Sequence, residues 1–416
     1  MSSECVLDVI IVGGSCGGLA CAHALLKTGR CKVTVLERAS SISAAGAGLG
    51  LGQEALAILQ GFGLTEQLDK ISLPLPTELN TAVRPSGETK LLQRDDHYNH
   101  RSLHWSDLHQ ALLSALPEGL VRFRHTVTSS EQPEGSQRVT LRVERRASKD
   151  SEETESLQLE CDLLVAADGS MSATRRRIRP DESRRYSGYC AWRGVVTDSE
   201  APKAAAAVRR AFPDMGTAIY FEIAERTHGV LYELPRQRLN WLWYVNQEEP
   251  PLKGHSVTVK AGEEQIEQMR KGAAQTFRPE MAQLMQATPT PFINAIFDRE
   301  PLQHLMQGRT VLVGEAAHPT TPHALRSTNM AIMDAGCLGE CIEQCSGNVE
   351  KALRQYEAQR LPQTTREVLF SRHLGRVKQA LDSSPDWFKA GQEQCEGLAQ
   401  ANMPSFRWQD QSQEAE

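Results

Sequence analysis

The feature that most restricts this chain lies at its start. Residues 7–12 read LDVIIV, an apolar run that ends in GGSCGG. Residues 15–28 continue with helical spacing at Leu19, Ala22, Leu25 and Leu26, and Gly29 ends them. Residues 32–36, KVTVL, form a β-branched strand. Strand, helix and strand within about thirty residues imply a right-handed parallel crossover. Strands this apolar are buried on both faces, so layers must cover the sheet on each side. The expected class is α/β.

Two later runs, DLLVAA at 162–167 and TVLV at 310–313, read as further strands of that sheet. Between them the texture changes. TAIYFEIA, GVLYELP and LNWLWYVNQ alternate apolar and polar positions and are separated by ERTH and RQR. That is an antiparallel meander. Amphipathic helices are expected at 53–62 and 105–116, with a polar hairpin at 131–156. Helices are also expected at 327–345 and 350–381. The resulting expectation is a Rossmann-like parallel sheet with an inserted antiparallel-sheet substrate domain and C-terminal helices. The boundaries assign 1–75, 105–185 and 301–400 to the first domain, and 76–104 and 186–300 to the second. Residues 401–416 read as a flexible tail. A cleft is expected between the domains.

The formal net charge of -6 gives no field favouring nucleic acid or an anionic membrane. No window approaches about 18 uncharged apolar residues, so no membrane span is expected. The first strand is expected to begin at Leu7, so no signal peptide is expected ahead of it. Ten cysteines scattered through 416 residues suit free thiols in the cytoplasm, not a disulfide framework. Cys337, Cys341 and Cys345 share a helix face but lack histidines at ligand spacing, so no metal site is expected.

Residues 13–18 carry the first chemical signal. Gly13 permits a tight turn. Gly14, Ser15, Cys16 and Gly17 bring backbone amides to a helix start, where an anionic pyrophosphate is favoured. Gly18 permits close helix packing. Ser15 stands where the usual G-x-G-x-x-G has its second glycine. Glu37, followed by Arg38, ends the second strand. A carboxylate there accepts ribose hydroxyls and repels a 2′-phosphate, which suits FAD or NAD and not NADP. The strand at 162–167 delivers Asp168-Gly169, with Arg175 beyond. The strand at 310–313 delivers Gly314-Glu315 to the same carboxyl edge, and a helix begins near Ser327. Three separated segments suit FAD, whose ribityl chain and second phosphate extend past the adenosine.

Together, VGGSCGG with LER, DLLVAADGSMSATRR and GRTVLVGEAAHPTTP with its later Asn resemble three fingerprints. They are those of FAD-dependent aromatic-ring hydroxylases, the para-hydroxybenzoate hydroxylase fold, over about residues 5–375. Within that group YSGYCAWRG, WLWYVNQ and HPTTPHALRSTNM are most similar to plant and algal FAD/NAD(P)-binding oxidoreductases, which are similar to 2,6-dihydroxypyridine hydroxylase. The resemblance implies NAD(P)H- and O2-dependent hydroxylation of a small aromatic compound through a flavin hydroperoxide, in a cavity kept dry. NADPH or NADH would bind transiently, since no second glycine fingerprint with an acidic partner is present. It implies that Gly13, Ser15 and Gly18 cradle the pyrophosphate. Glu37 would hold the ribose, Asp168 with Arg175 would serve the pyrophosphate region, and Glu315 would hold the ribityl hydroxyls. Pro322 would lie beside the flavin ring, with Gly48 and its neighbouring glycines close to it. Ser327, Thr328 and Asn329 open the last cofactor-facing helix.

The chain departs from that pattern in three places. Glu315 replaces the usual Asp. Ala324, Leu325, Arg326 and Ser327 occupy the usual Gly-Gly-Gln-Gly region. Trp105 stands where relatives place a flavin-contacting Arg, leaving Arg101 or Arg326 to supply that charge. His323 is the candidate base, with Tyr189, Arg193, Tyr220, Tyr232 and Asn246 as polar contacts to substrate. An epoxidase or reductase of an isoprenoid, and a non-catalytic flavin-binding sensor, remain as alternatives. Monomer and homodimer are both compatible with the sequence.

Overall fold

The computed structural model describes residues 6–41, 46–148, 153–180, 183–252, 257–259 and 261–381. The expected tail at 401–416 and Ala45 of the glycine stretch lie outside the described residues. Two compact units are present. One contains residues 1–72, 103–185 and 297–371, the other 73–102, 186–296 and 372–416.

The first unit is built on a six-stranded sheet. In spatial order its strands are Met306–Gln307, Thr310–Leu312, Leu163–Ala166, Leu7–Val12, Cys31–Glu37 and Val121–Phe123. All neighbours pair in parallel except Met306–Gln307 with Thr310–Leu312. On one face, Ile10, Val12, Leu36 and Leu164 pack with Val139, Leu141, Val143 and Cys161 of a three-stranded antiparallel layer. The apolar core of the other face includes residues of the helices Cys16–Lys27, Trp105–Ser114 and Arg326–Gln344. The double coverage explains why these strands read as continuous apolar runs. The helix expected at 327–345 runs Arg326–Gln344 and the last one Val349–Lys378.

The second unit carries an eight-stranded sheet. Its order is Thr258–Val259, Phe292–Asp298, Arg185–Thr197, Arg238–Asn246, Thr227–Leu234, Ala218–Ala224, Thr77–Val83 and Thr89–Asp95. The three meander strands are adjacent, as their alternation predicts. Three helices that the sequence reading did not single out, Pro202–Ala211, Glu263–Thr276 and Pro279–Ala287, belong to this unit. Glu263–Thr276 buries only Met269 and Ala273, so its 3.6-residue period is faint.

These helices decide which aromatics are core. The Trp241 indole donates to the Thr288 hydroxyl at 2.7 Å, and Trp243 meets Phe277 edge-on at 5.7 Å between ring centroids. Tyr220 shares their face, because it pairs with Leu231 and Leu231 with Trp241. Its hydroxyl accepts from the Asp214 amide at 2.9 Å. Tyr189, Arg193, Tyr232 and Tyr244 occupy the opposite face. The grouping of Tyr220 with Tyr189 and Arg193 is therefore corrected: strand parity separates them.

Among the described residues, no helix is long and apolar enough to cross a membrane, and no group of three or more His, Cys, Asp or Glu is placed to hold a metal.

Candidate active site

Strand register places the sequence-nominated segments together. Val12 pairs with Leu36 and with Ala166, and Ala166 pairs with Leu312. Four strands thus end level, and the next residues along are Gly13, Glu37, Ala167-Asp168 and Val313-Gly314-Glu315. Carboxyl edges of parallel sheets are where ligands bind in such folds.

The glycine loop is built around steric exclusion. Gly13 adopts φ +106°, and a Cβ there would lie 2.3 Å from the Ala167 carbonyl oxygen. A Cβ on Gly18 would lie 1.9 Å from the Gly13 oxygen. Ser15 is exposed and caps the helix Cys16–Lys27 without a side-chain hydrogen bond, so first-turn amides remain available to an anion. The Cys16 thiol is buried, which pushes its pKa up to about 12 and keeps it neutral.

Glu37 holds this loop from one side. Its Oε2 accepts from the Gly14 amide and its Oε1 from the Ala39 amide, each at 2.7 Å. Arg38 is exposed. The other side of the Gly14 peptide meets a residue that sequence reasoning passed over. His109 contacts the Gly14 carbonyl through Nε2 at 2.6 Å and is 2% exposed. Burial lowers its pKa, although the Gly14 carbonyl and Glu37 pull upward. A neutral ring donating from Nε2 leaves Nδ1 as an acceptor, and that atom is buried with no partner. The only sequence signal was one histidine in a helix, WSDLHQALL. Trp105, one turn earlier, lies 5.0 Å from the His109 ring and donates its backbone amide to Ala47.

Asp168 Oδ2 accepts from the amides of Ala173 and Thr174 at 2.9 and 3.3 Å. Its Oδ1 is buried without a hydrogen-bond partner. Gly169 adopts φ +78° in the turn that follows. Arg175 is 2% exposed and donates to the carbonyls of Ala316, Ala317 and Glu300. Its guanidinium thus organises the backbone just after Glu315.

The turn at 314–316 is fixed from beneath. The Gly314 amide donates to Asp334 Oδ2 at 2.8 Å, which also meets His318 Nε2 at 2.5 Å, while Arg360 Nε reaches Oδ1 at 2.7 Å. Burial alone would raise the Asp334 pKa, but His318 and Arg360 outweigh it and hold it at about 2. Glu315 itself is exposed and accepts from the Ser327 hydroxyl at 2.8 Å.

The loop beyond departs from glycine chemistry. Ala324 and Leu325 both lie in the left-handed region, at φ 58° and 55°. Asn329 secures it: Nδ2 donates to the carbonyls of Leu325 and Gly50 at 2.5 and 2.8 Å, and Oδ1 accepts from Gly52 at 2.8 Å. Pro322 is half-buried. His323 is 4% exposed, with Nδ1 3.2 Å from the Thr321 hydroxyl. Arg326 pairs with Glu367 at 2.9 Å and lies over the Phe370 ring, so its charge is engaged within this layer. Thr328 and Gly48 are half-buried.

These residues fit FAD. Gly13 and Gly18 have no room for a side chain, the following helix start lacks a side-chain cap, and Asp168 offers an orphaned buried oxygen at the same edge.

Comparison with known proteins agrees. A family model described as FAD binding domain matches residues 6–371. The 3-hydroxybenzoate 6-hydroxylase of Polaromonas naphthalenivorans is 29% identical over 387 residues, covering 90% of this chain and 88% of that protein. The 6-hydroxynicotinate 3-monooxygenase of Pseudomonas fluorescens is 27% identical over 405 residues, covering 95% and 96%. Among solved structures, 2,6-dihydroxypyridine-3-hydroxylase from Arthrobacter nicotinovorans superposes with TM-score 0.76 at 22% identity, covering 92% and 95%. Klebsiella pneumoniae HpxO, solved with FAD and uric acid, gives 0.73 at 23%, covering 96% and 93%. The expected fold and its likeness to 2,6-dihydroxypyridine hydroxylase are borne out.

Proposed function

The chain belongs to the FAD binding domain family, and on that premise we propose that it is an FAD-dependent monooxygenase. It places one oxygen atom from O2 on a small aromatic or heteroaromatic ring, with NADH or NADPH as reductant. The observation that carries this reading is the level ending of four strands at Val12, Leu36, Ala166 and Leu312. Relatives across most of the chain are named as hydroxylases and monooxygenases of aromatic acids and related rings.

When bound, FAD supplies hydride acceptance and oxygen activation. The chain supplies binding and orientation. The loop of residues 13–18 and its helix start take the pyrophosphate. Glu37, fixed by two backbone amides, presents its carboxylate to ribose hydroxyls. Asp168 offers Oδ1 to the cofactor while Oδ2 caps the following helix. Glu315 and Ser327, already hydrogen-bonded to one another, serve the ribityl chain.

The tyrosine-bearing face of the large sheet suits an aromatic ring. Tyr189, Phe221, Tyr232 and Tyr244 belong to its apolar cluster, and that cluster excludes water. Within the FAD-binding unit, His323 is the group suited to take a phenolic proton, with the Thr321 hydroxyl on Nδ1 orienting its ring. The eight described cysteines are all free, which supports a reducing, cytoplasmic setting.

The test is turnover of the FAD-loaded protein under 18O2 with a panel of phenols and hydroxypyridines. NADH or NADPH oxidation should accelerate with at least one compound, and its product should gain one labelled atom. An unlabelled product, or no stimulation anywhere in the panel, overturns the reading.

A further inference from the structure

One motif of the sequence has no part in the proposed function: the cysteines Cys337, Cys341 and Cys345. Cys337 and Cys341 lie one turn apart in the helix Arg326–Gln344, and Cys345 caps its end. The helix Val349–Lys378 meets them with side-chain amides. The Cys337 thiol donates to Gln359 Oε1 at 3.4 Å, and Gln359 Nε2 donates to Cys341 Sγ at 4.0 Å. One amide therefore spans both sulfurs, and the two thiols also hydrogen-bond to one another. Cys345 donates separately, to Gln355 Oε1 at 3.4 Å.

Exposure and charge single out this pair. Of the eight described cysteines, seven are buried and Cys337 is half-buried. Burial raises the pKa of Cys16, Cys21, Cys31, Cys161 and Cys190, which keeps them neutral and slow to react. The hydrogen bond from Cys337 has the opposite effect on Cys341, lowering its pKa, while it holds the proton on Cys337. Arg360 adds a positive charge beside Cys337, against the negative charge of Asp334. Cys341 thus has a proton donor in contact with it, and that donor is the thiol nearest to solvent. This is the arrangement of a nucleophilic sulfur with a resolving partner.

We propose that Cys337 and Cys341 form a peroxide-reactive thiol pair that closes to a reversible disulfide. The Cys341 thiolate attacks one oxygen of hydrogen peroxide, the O–O bond breaks, and the departing hydroxide leaves as water with the proton of Cys337. The Cys337 thiolate then attacks the Cys341 sulfur. An S–S bond forms, the S–O bond breaks, and the second hydroxide takes a proton from solvent. Two thiols are oxidised, and one peroxide is reduced to water. Peroxide is the two-electron product of O2, and a flavoprotein that reduces O2 is a source of it. That source rests on the hydroxylase reading, whereas reactivity toward added peroxide does not. Cβ atoms four residues apart on a helix are separated by about 5–6 Å, and a relaxed disulfide needs about 3.5–4.5 Å. Closure must therefore distort the turn that holds Gly339, close to the helix end at Gln344. A bond strained in this way is readily reduced, as a transient modification in a reducing compartment must be.

The FAD-loaded protein is treated with one equivalent of hydrogen peroxide, alkylated and digested with trypsin, which leaves all three cysteines in the peptide of residues 327–351. That peptide should lose two hydrogens and keep a single alkylated cysteine, Cys345, and dithiothreitol should restore the other two thiols. Closure should run about tenfold or more faster than oxidation of Cys161. Cys345→Ser should close as the wild type does. Cys337→Ser should not close, and should leave a sulfenic acid on Cys341 that dimedone traps. Melting temperature and FAD retention show whether each variant is folded. The proposal is overturned if the peptide keeps all its thiols, if the bond joins Cys345, or if a folded Cys337→Ser protein still forms a disulfide there. No outcome depends on turnover, so failure of the 18O2 experiment and failure of this one are told apart.

Discussion

Two loops at the same sheet edge solve the same backbone problem in opposite ways. The loop at 13–18 uses glycine where no Cβ can fit, at Gly13 and Gly18, and needs few side chains to keep its shape. The loop at 321–327 places Ala324 and Leu325 at positive φ and holds them by Asn329 and by Ser371, which donates to the carbonyls of Thr321 and His323. Each left-handed non-glycine residue costs roughly 1–2 kcal/mol. The first loop is cheap and locally encoded. The second stores strain and depends on partners from the helices that follow it. Where the resembled pattern has Gly-Gly-Gln-Gly, this chain carries larger side chains, and that of Leu325 lies against Gly50.

The most damaging way to break the comparison is Gly18→Ala. Its new methyl would collide with the Gly13 carbonyl, and backbone cannot yield as a flexible side chain can. The expected loss is about 4 kcal/mol or more, with FAD retention abolished, read by chemical denaturation and flavin fluorescence. A loss under about 1 kcal/mol would mean that the glycine loop is looser than its geometry implies.

Asp334→Asn comes next, because it leaves Arg360 buried without its counter-charge beneath the second loop. The expected cost is about 3 kcal/mol. The pH dependence sharpens the point. The folded Asp334 pKa of about 2 lies below the ordinary carboxylate value. Its contribution is therefore complete above about pH 4 and is lost as pH falls toward 2, amounting to about 2 kcal/mol. Stability of the wild type should drop across that window by more than that of Asp334→Asn. Equal acid sensitivity of the two proteins would assign the drop to other carboxylates.

Asn329→Ala removes three hydrogen bonds, to Gly50, Gly52 and Leu325, and should cost about 2 kcal/mol. It should also loosen residues 321–327, seen as faster amide exchange there while residues 13–18 stay protected. The smallest effect is a gain. Ala324→Gly relieves one left-handed alanine but adds freedom to the unfolded chain, so stability should rise by up to about 1 kcal/mol. A fall in melting temperature would show that the alanine methyl contributes packing that outweighs the strain.

Much of this architecture could be read before any coordinates. The apolar runs at 7–12, 162–167 and 310–313 state a buried parallel sheet, because period and β-branching are local properties. The glycine loop and Glu37 are legible for the same reason: nineteen residues separate Gly18 from the end of the next strand. Other parts of the site had no such signal. Asp334, His318 and Arg360 converge from three places in the chain, and each alone reads as an ordinary helix or loop residue. His109 touches Gly14 across 95 positions. The tyrosines and tryptophans of the meander looked equivalent, since alternation fixes parity within a strand but not which face a neighbouring strand presents.

The sequence by itself determined that three distant segments end apolar strands with groups suited to a long flavin nucleotide, since strand period, glycine sterics and carboxylate chemistry are written residue by residue. Tertiary structure alone decided that Arg193 and Tyr220 lie on opposite faces, that His109 supports the glycine loop, and that two bulky residues can hold a glycine-like turn. Those outcomes depend on inter-strand register and on partners supplied from far along the chain, and no local pattern encodes either.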